Sequence, residues 1–163
     1  MKEAIITIFA EYAFFILFLH VLSAFVWVGG MIAIRGAVHP SLQHIEDQKI
    51  RLARTLEIMR RFFMIVLPFI VILIITGVIM AIGMGFKGTP LYGMIHLKEA
   101  IWTVMVINYL LMFTKRNKAE RLFISGDIAG TKELLASIPN FMLPLNIILG
   151  IVALAVGVTL RGF

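Results

Sequence analysis

Cysteine is absent from this chain, and charged residues are scarce. The lack of cysteine in 163 residues excludes disulfide bonds, iron–sulfur clusters, cysteine-ligated zinc and a cysteine nucleophile. Charged side chains make up 15% of the sequence and hydrophobic ones 61%, against about 25% and about 45–50% in ordinary soluble domains. A small domain leaves much of its surface in water, so one small core cannot hide this much apolar surface. The composition therefore predicts an integral membrane protein.

Long apolar stretches divide the chain into four predicted spans. A helix that crosses a bilayer needs about 20 mostly apolar residues. Four stretches reach this length: 12–34, 62–84, 91–113 and 138–160. Only the third contains charged side chains, Lys98 and Glu99, together with His96. With no internal repeat, the sequence predicts one all-α domain over residues 1–163, an integral membrane four-helix bundle.

Positive charge is concentrated in two of the three connections. The connection over 35–61 holds six basic residues and the one over 114–137 holds five, whereas the short second connection has Lys87 alone. Basic loops stay on the cytoplasmic side of a membrane. We therefore expect both termini on the outer, periplasmic side of a bacterial inner membrane. These loops also account for the net charge of +6, so we expect the lipid bilayer and no nucleic acid as a partner.

Two local patterns refine the predicted helices. Thr89-Pro90 is typical of an N-cap and first helical residue, since proline loses no hydrogen bond at that position. Apolar residues recur at helical spacing ahead of the second span, which predicts that its helix extends into the cytoplasm as an amphipathic stalk. These residues are Ile45, Leu52, Leu56, Met59 and Phe63.

Two histidines lie within predicted spans, where an ionisable side chain indicates function because its exposure to lipid is costly. At about 1.5 Å per residue, His20 lies ~12 Å and His96 about 10 Å below the outer boundary. Two imidazoles at similar depth on different helices can bind a haem iron from both faces. We therefore predict haem b with His20 and His96 as metal ligands. The alternative is a packing role, with each imidazole hydrogen-bonded to a neighbouring helix.

Residues near His20 suit a flat cofactor. Ser23 and Ala24 are small and share the helix face of His20, and Trp27 continues that face. We predict that all three contact the cofactor. The alternative is ordinary helix packing.

Charged residues near His96 extend the predicted cofactor site. Lys98 could hold a carboxylate of the cofactor, or it could snorkel to the outer surface. Glu99 could orient the imidazole of His96 through a hydrogen bond.

Methionine is plentiful, with ten residues. Thioether and imidazole groups are suitable ligands for Cu(I), and several lie near the predicted second connection. They form an alternative copper site of Met80, Met84, Met94 and His96. Methionine is also an ordinary filler of apolar cores.

Several short motifs are similar to those of known membrane protein families. The stretch His20-Val-Leu-Ser-Ala-Phe-Val-Trp-Val-Gly-Gly30 resembles the first-helix signature of the copper resistance protein D (CopD) family. Thr76-Gly77 and Thr89-Pro-Leu-Tyr-Gly93, followed by Lys98, are similar to that family too. The layout also resembles the HemJ-type protoporphyrinogen oxidases. The matching features are His20, Trp27, Arg60-Arg61, Lys98, Ile138-Pro139 and Arg161-Gly162-Phe163.

The resemblance implies a redox or copper-handling protein of the bacterial inner membrane. HemJ-type proteins are four-helix membrane proteins that bind haem b, which would imply an oxidoreductase that converts protoporphyrinogen IX to protoporphyrin IX. Lys98 would then lie near the substrate or the haem propionates, and a quinone or another respiratory partner would exchange electrons.

Three functions remain open at this point: a b-type haem protein with an electron-transfer role, a copper-handling protein, and a structural four-helix subunit. The small residues Gly150, Ala153 and Gly157 could also pair two copies as a homodimer.

Overall fold

The computed structural model describes residues 2–85 and 88–160, and no strand occurs among them. Four helices are long and apolar enough to cross a membrane. They are α1 (Lys2–Gln43), α2 (Gln48–Gly83), α3 (Tyr92–Ile124) and α4 (Ile128–Thr159). The predicted all-α class is confirmed, and each of the four predicted spans lies almost entirely within a helix that is long and apolar enough to cross a membrane. These helices suggest a multi-pass membrane protein. Lys87 and the motif Arg161-Gly162-Phe163 lie outside the described residues.

Two of the four helices contain wider π-helical turns. In α1, the α-helical parts Lys2–Ala24, Gly30–Ala33 and His39–Gln43 are joined by π turns at Phe25–Gly29 and Ile34–Val38. In α4, a π turn at Ile138–Met142 separates Ile128–Ser137 from Leu143–Thr159. Turns of this kind occur often at functional sites. The first of them contains Trp27.

Local hydrogen bonds determine where α2 and α3 begin. The carboxylate of Asp47 accepts hydrogen bonds from the amides of Lys49 and Ile50 at 2.8 and 2.9 Å, which begins α2. The predicted cap at Thr89-Pro90 is wrong, since α3 begins at Tyr92. Thr89 instead closes a turn, in which its carbonyl accepts a hydrogen bond from the Tyr92 amide at 3.1 Å. Such a turn carries the same local signal as a helix start.

The predicted stalk of α2 is present, and it is packed rather than free. Leu52, Leu56, Met59 and Phe63 are buried on one face of α2. Ile45 precedes the helix, which begins at Gln48. The apolar spacing therefore identified the buried face correctly but extended it beyond the start of the helix.

The four helices form two pairs that are joined at one end. We call the end formed by residues 35–61 and 114–137 the basic end, and the opposite end the terminal end. α1 packs along α2, and α3 packs along α4. Near the basic end, Tyr109 of α3 donates a hydrogen bond to the Phe63 carbonyl of α2 at 2.8 Å, and Arg116 donates to the Leu56 carbonyl at 3.1 Å. These contacts connect the two pairs.

Toward the terminal end the two pairs diverge. The part of α1 over Lys2–Ala24 packs on α2 and makes at most marginal contact with the Leu143–Thr159 part of α4. The contacts of α1 with α4 are concentrated in its middle part, where Val28 lies against Gly150. The divergence leaves a cavity between the pairs.

Candidate functional site

The cavity has a volume of about 420 Å³ and is lined by all four helices. Its deepest residues toward the basic end are Trp27, Met105 and Gly150, and it extends to Met84 and Leu160 near the terminal end. Ligand pockets commonly measure about 300–1,000 Å³, with mostly apolar walls and a few convergent polar groups. The cavity meets this description, because the side chains that line it are mainly aliphatic and aromatic.

His20 contributes an imidazole to the cavity wall in a defined orientation. Its Nδ1 lies 3.0 Å from the hydroxyl oxygen of Thr76. The single proton of that hydroxyl is donated to the Ile72 carbonyl at 2.6 Å, so the hydroxyl accepts from the Nδ1–H group. In the neutral ring, Nε2 then carries a lone pair and no proton. This is the tautomer in which a histidine binds a metal through Nε2.

A glycine leaves room for the His20 ring. A Cβ atom at Gly77 would lie 3.4 Å from Cε1 of His20, at the limit of ordinary contact. Any longer side chain would therefore displace the ring or close this part of the cavity. The adjacent pair Thr76-Gly77, which the sequence resemblance singled out, thus supplies both the acceptor and the space for the imidazole.

Lys98 places an amino group on the opposite side of the cavity, against the backbone of α4. A Cβ atom at Gly157 would lie 2.9 Å from Nζ of Lys98, so only glycine leaves this space. Within residues 2–85 and 88–160, Nζ has no hydrogen-bond or ion-pair partner. Glu99 also lines the cavity, but its Oε2 lies 3.0 Å from Nδ1 of His96. Lys98 is therefore an available cation in a largely apolar cavity.

The structure does not bring His96 to His20. The His96 side chain is 57% exposed and does not line the cavity. Its ring packs edge-on against Tyr92, with ring centroids 4.5 Å apart. The predicted depth of His96 in the membrane does not determine which way its side chain points, since a helix places neighbouring residues on different faces. The hydrogen bond between Glu99 and His96 is present as the sequence suggested, but it lies at the rim.

The remaining residues of the predicted cofactor face separate into two groups. Ala24 and Trp27 line the cavity, whereas Ser23 is buried outside its wall. Trp27 packs edge-on against Tyr109, with ring centroids 6.4 Å apart. Among the described residues, the Nε1 atom of Trp27 and the Oγ atom of Ser23 are buried without a hydrogen-bond partner.

Only two of the four residues of the predicted copper site line the cavity. Met80 and Met84 line the cavity with His20, whereas Met94 and His96 do not. A third thioether in the cavity belongs to Met105. In the part of the chain that the structure describes, no group of three or more His, Cys, Asp or Glu side chains could hold a metal ion.

Trp102, Met105 and Gly77 also line the cavity, although they are not among the site residues predicted from the sequence. Trp102 and Met105 follow Lys98 at helical spacing, so the face of α3 that carries Lys98 contained the necessary signal. The small residues Gly150, Ala153 and Gly157 also line the cavity. That face of α4 is therefore turned inward, and a homodimer through it stays a prediction.

Comparison of the chain with family models, with curated proteins and with solved structures finds no match. The resemblance to the CopD family and to HemJ-type proteins therefore stays a prediction.

Proposed function

We propose that the protein is a b-type haem protein with an electron-transfer role and that His20 is the histidine ligand of the haem iron. The observation that carries the proposal is the imidazole of His20. Its Nδ1–H group is bound by Thr76, and its Nε2 lone pair is left without a partner among the described residues. A haem-ligating histidine needs this arrangement.

Other cavity residues are suited to a flat amphiphilic group. Trp27 and Trp102 offer aromatic surface, and Lys98 offers a cation for a carboxylate. Met80, Met84 and Met105 offer thioethers, one of which would hold the iron together with the histidine. His96 has no place in this proposal as a ligand, since its ring lies outside the cavity.

The bound group would supply one-electron chemistry, and the chain would bind it, orient it and keep water away from it. We propose a small reduced membrane or porphyrin-type molecule as electron donor, and a quinone or another respiratory component as acceptor. The resemblance to HemJ-type proteins favours protoporphyrinogen IX as the donor, with protoporphyrin IX as the product. We also propose the bacterial inner membrane as the location, with both termini on the periplasmic side.

The test is the visible spectrum of the purified protein in detergent. We expect a Soret band that is lost in His20→Ala and retained in the matched variant His96→Ala. A colourless wild-type protein, or a band that persists in His20→Ala, contradicts the proposal. A band that is lost in both variants contradicts the assignment of His20 as the only histidine ligand.

A copper-handling protein is the second candidate, favoured by the position of Met80, Met84 and Met105 in the same cavity as His20. Thioether and imidazole donors are a suitable set for Cu(I). Stoichiometric Cu(I) binding by a colourless protein, lost in Met80→Leu with Met84→Leu, would support it. A Soret band that survives this double substitution favours haem.

A further inference from the structure

The wall of the cavity is incomplete on the side between α1 and α4. Along Lys2–Ala24, α1 packs on α2 and has at most marginal contact with the Leu143–Thr159 part of α4. α2 and α3, by contrast, are in contact, with the Tyr109 hydroxyl donating to the Phe63 carbonyl near the basic end. The gap between α1 and α4 is thus one opening in the wall.

The rim of this gap is apolar and open to the surroundings. Val21 of α1 and Leu154 and Val158 of α4 line the cavity, yet they are 54%, 46% and 56% exposed. In a bilayer these surfaces face acyl chains. An apolar molecule in the hydrocarbon region can therefore reach the cavity without crossing water.

The cavity adds a cation to this apolar path, the amino group of Lys98. It has no hydrogen-bond or ion-pair partner within the described ranges 2–85 and 88–160, and Gly157 provides the space in which it lies. A carboxylate is the natural partner of a lysine ammonium group. In surroundings of low dielectric constant, this attraction is stronger than in water.

We infer that the cavity is filled sideways from the bilayer, through the gap between α1 and α4, by a membrane-dissolved amphiphile whose carboxylate binds Lys98. The molecule keeps its apolar body in hydrocarbon during the transfer, so uptake avoids the cost of exposing that body to water. The inference uses the same cavity and the same lysine as the proposed function, so bound haem and the amphiphile would exclude each other. It therefore concerns the protein free of haem and does not require haem.

Tryptophan fluorescence gives a direct test, because the chain has two tryptophans and both line the cavity. In Trp102→Phe, the remaining Trp27 is 1% exposed and is reached through the cavity rather than from bulk lipid. The probe is dibromostearic acid, whose bromine atoms quench indole fluorescence on contact. It is added to the variant in phosphatidylcholine nanodiscs, with the methyl ester of the same acid as the uncharged control.

We expect saturable quenching by the acid and only weak, linear quenching by the ester. Lys98→Met should weaken the apparent affinity about tenfold or more, as expected for the loss of a charge-assisted hydrogen bond. Lys118→Met is the matched control, since Lys118 is an exposed lysine of the same helix near the basic end. Gly157→Ala, which displaces the Lys98 amine, provides a second variant should Lys98→Met fold poorly.

The route is tested by capping the rim. Because the chain has no cysteine, Leu154→Cys can be modified at a single site with phenylmaleimide. Ile151→Cys is the control on the same helix, since Ile151 is similarly exposed, at 52%, and does not line the cavity. We expect the cap at position 154 to abolish the saturable quenching and the cap at 151 to leave it unchanged.

Each contrary result overturns a defined part of the inference. Equal quenching by acid and ester, or unchanged affinity in both Lys98→Met and Gly157→Ala, overturns the carboxylate class. Saturable quenching by brominated phosphatidylglycerol but not by the acid identifies a phospholipid instead. Unchanged quenching with the Leu154 cap overturns the lateral route. The measurements are repeated with His20→Ala, which removes the proposed iron ligand, so failure of the haem proposal is distinguishable from failure of this one.

Discussion

The chemistry of single residues in the cavity depends on their immediate neighbours. His20 has a defined tautomer because the hydroxyl of Thr76 donates its proton to the Ile72 carbonyl and so accepts a hydrogen bond from Nδ1–H of His20. Lys98 has space for its amino group because residue 157 is glycine. In both cases a small residue on the adjacent helix of the pair sets a property of the larger side chain: which nitrogen of His20 carries the proton, and where the amine of Lys98 lies.

Thr76→Val should weaken haem binding, because it removes the acceptor that holds the Nδ1–H group of His20. Loss of such a hydrogen bond to a metal-binding histidine typically costs about 10–100-fold in affinity. Haem retention during dilution, followed by the Soret band, measures the effect. Thr76→Ser keeps the hydroxyl and should behave like the wild type. Equal retention in the valine variant would mean that Thr76 does not orient His20.

Gly157→Ala should displace the Lys98 amine without lowering stability, because the new methyl group meets the flexible end of a lysine, 2.9 Å from Nζ. Gly150→Ala is the contrasting variant, since its methyl group would lie 2.6 Å from Cγ2 of the β-branched Val28. Overpacking of that kind costs about 1–3 kcal/mol. Thermal unfolding in detergent compares the two, and a lower melting temperature for Gly157→Ala than for Gly150→Ala would contradict this account.

At the scale of helices, α3 and α4 are joined by a pair of buried asparagines. The amide of Asn108 donates to the side-chain oxygen of Asn146 and to the Met142 carbonyl, both at 2.8 Å. In return, Asn146 donates to the Met105 carbonyl at 3.1 Å. Both asparagines are buried among apolar side chains. The hydrogen bonds fix how the two helices are rotated against each other, which turns Lys98 and Gly157 toward the same cavity.

Asn146→Leu should destabilise the α3–α4 pair, since it removes two hydrogen bonds between helices and leaves Asn108 with one acceptor. Interhelical hydrogen bonds of this kind in membranes contribute about 0.6–2 kcal/mol each. The free energy of unfolding in mixed detergent measures the loss. Asn140→Leu is the control, because Asn140 lies in the π turn of α4, is exposed, and makes no side-chain hydrogen bond among the described residues. Equal loss in both variants would contradict the role of the asparagine pair.

At the scale of the whole molecule, side-chain contacts join the two helix pairs near the basic end, and a cavity lies between the pairs on the other side of those contacts. Near the basic end, the guanidinium group of Arg116 is 3% exposed and is bound by the Leu56 carbonyl and by Glu120, at 2.7 Å from Nη2 to Oε1. Phe63 packs edge-on on Tyr109, with ring centroids 5.4 Å apart. The cavity lies between the helix pairs toward the terminal end, where its lining extends to Met84 and Leu160.

Cysteine labelling in intact bacteria checks the proposed orientation. The chain has no cysteine of its own, so Lys2→Cys reports on the terminal end and Lys118→Cys on the basic end. Because basic loops stay in the cytoplasm, a membrane-impermeant maleimide should modify position 2 in intact cells. Position 118 should react only after the cells are lysed. The reverse pattern would place the cavity in the cytoplasmic half of the bilayer.

The number of helices, their approximate positions and the unusual residues within them follow from the sequence. Within a bilayer, the backbone amide and carbonyl groups of the four uncharged or nearly uncharged stretches find hydrogen-bond partners only if each stretch is a helix. His20 and Lys98 are conspicuous because inserting an ionisable side chain into lipid is costly. The face of α3 that carries Lys98, Trp102 and Met105 also follows from helical spacing.

The tertiary structure alone decided which faces turn inward. In water the polar face of a helix identifies its outside, but in lipid the outside is as apolar as the core. The spacing of His96 and of Gly157 therefore could not show that the first faces outward and the second lines a cavity. Packing contacts such as Gly150 against Val28 and hydrogen bonds such as Asn108 with Asn146 set those rotations. They join residues far apart in the chain, and for this reason the cavity beside His20 exists only in the folded bundle.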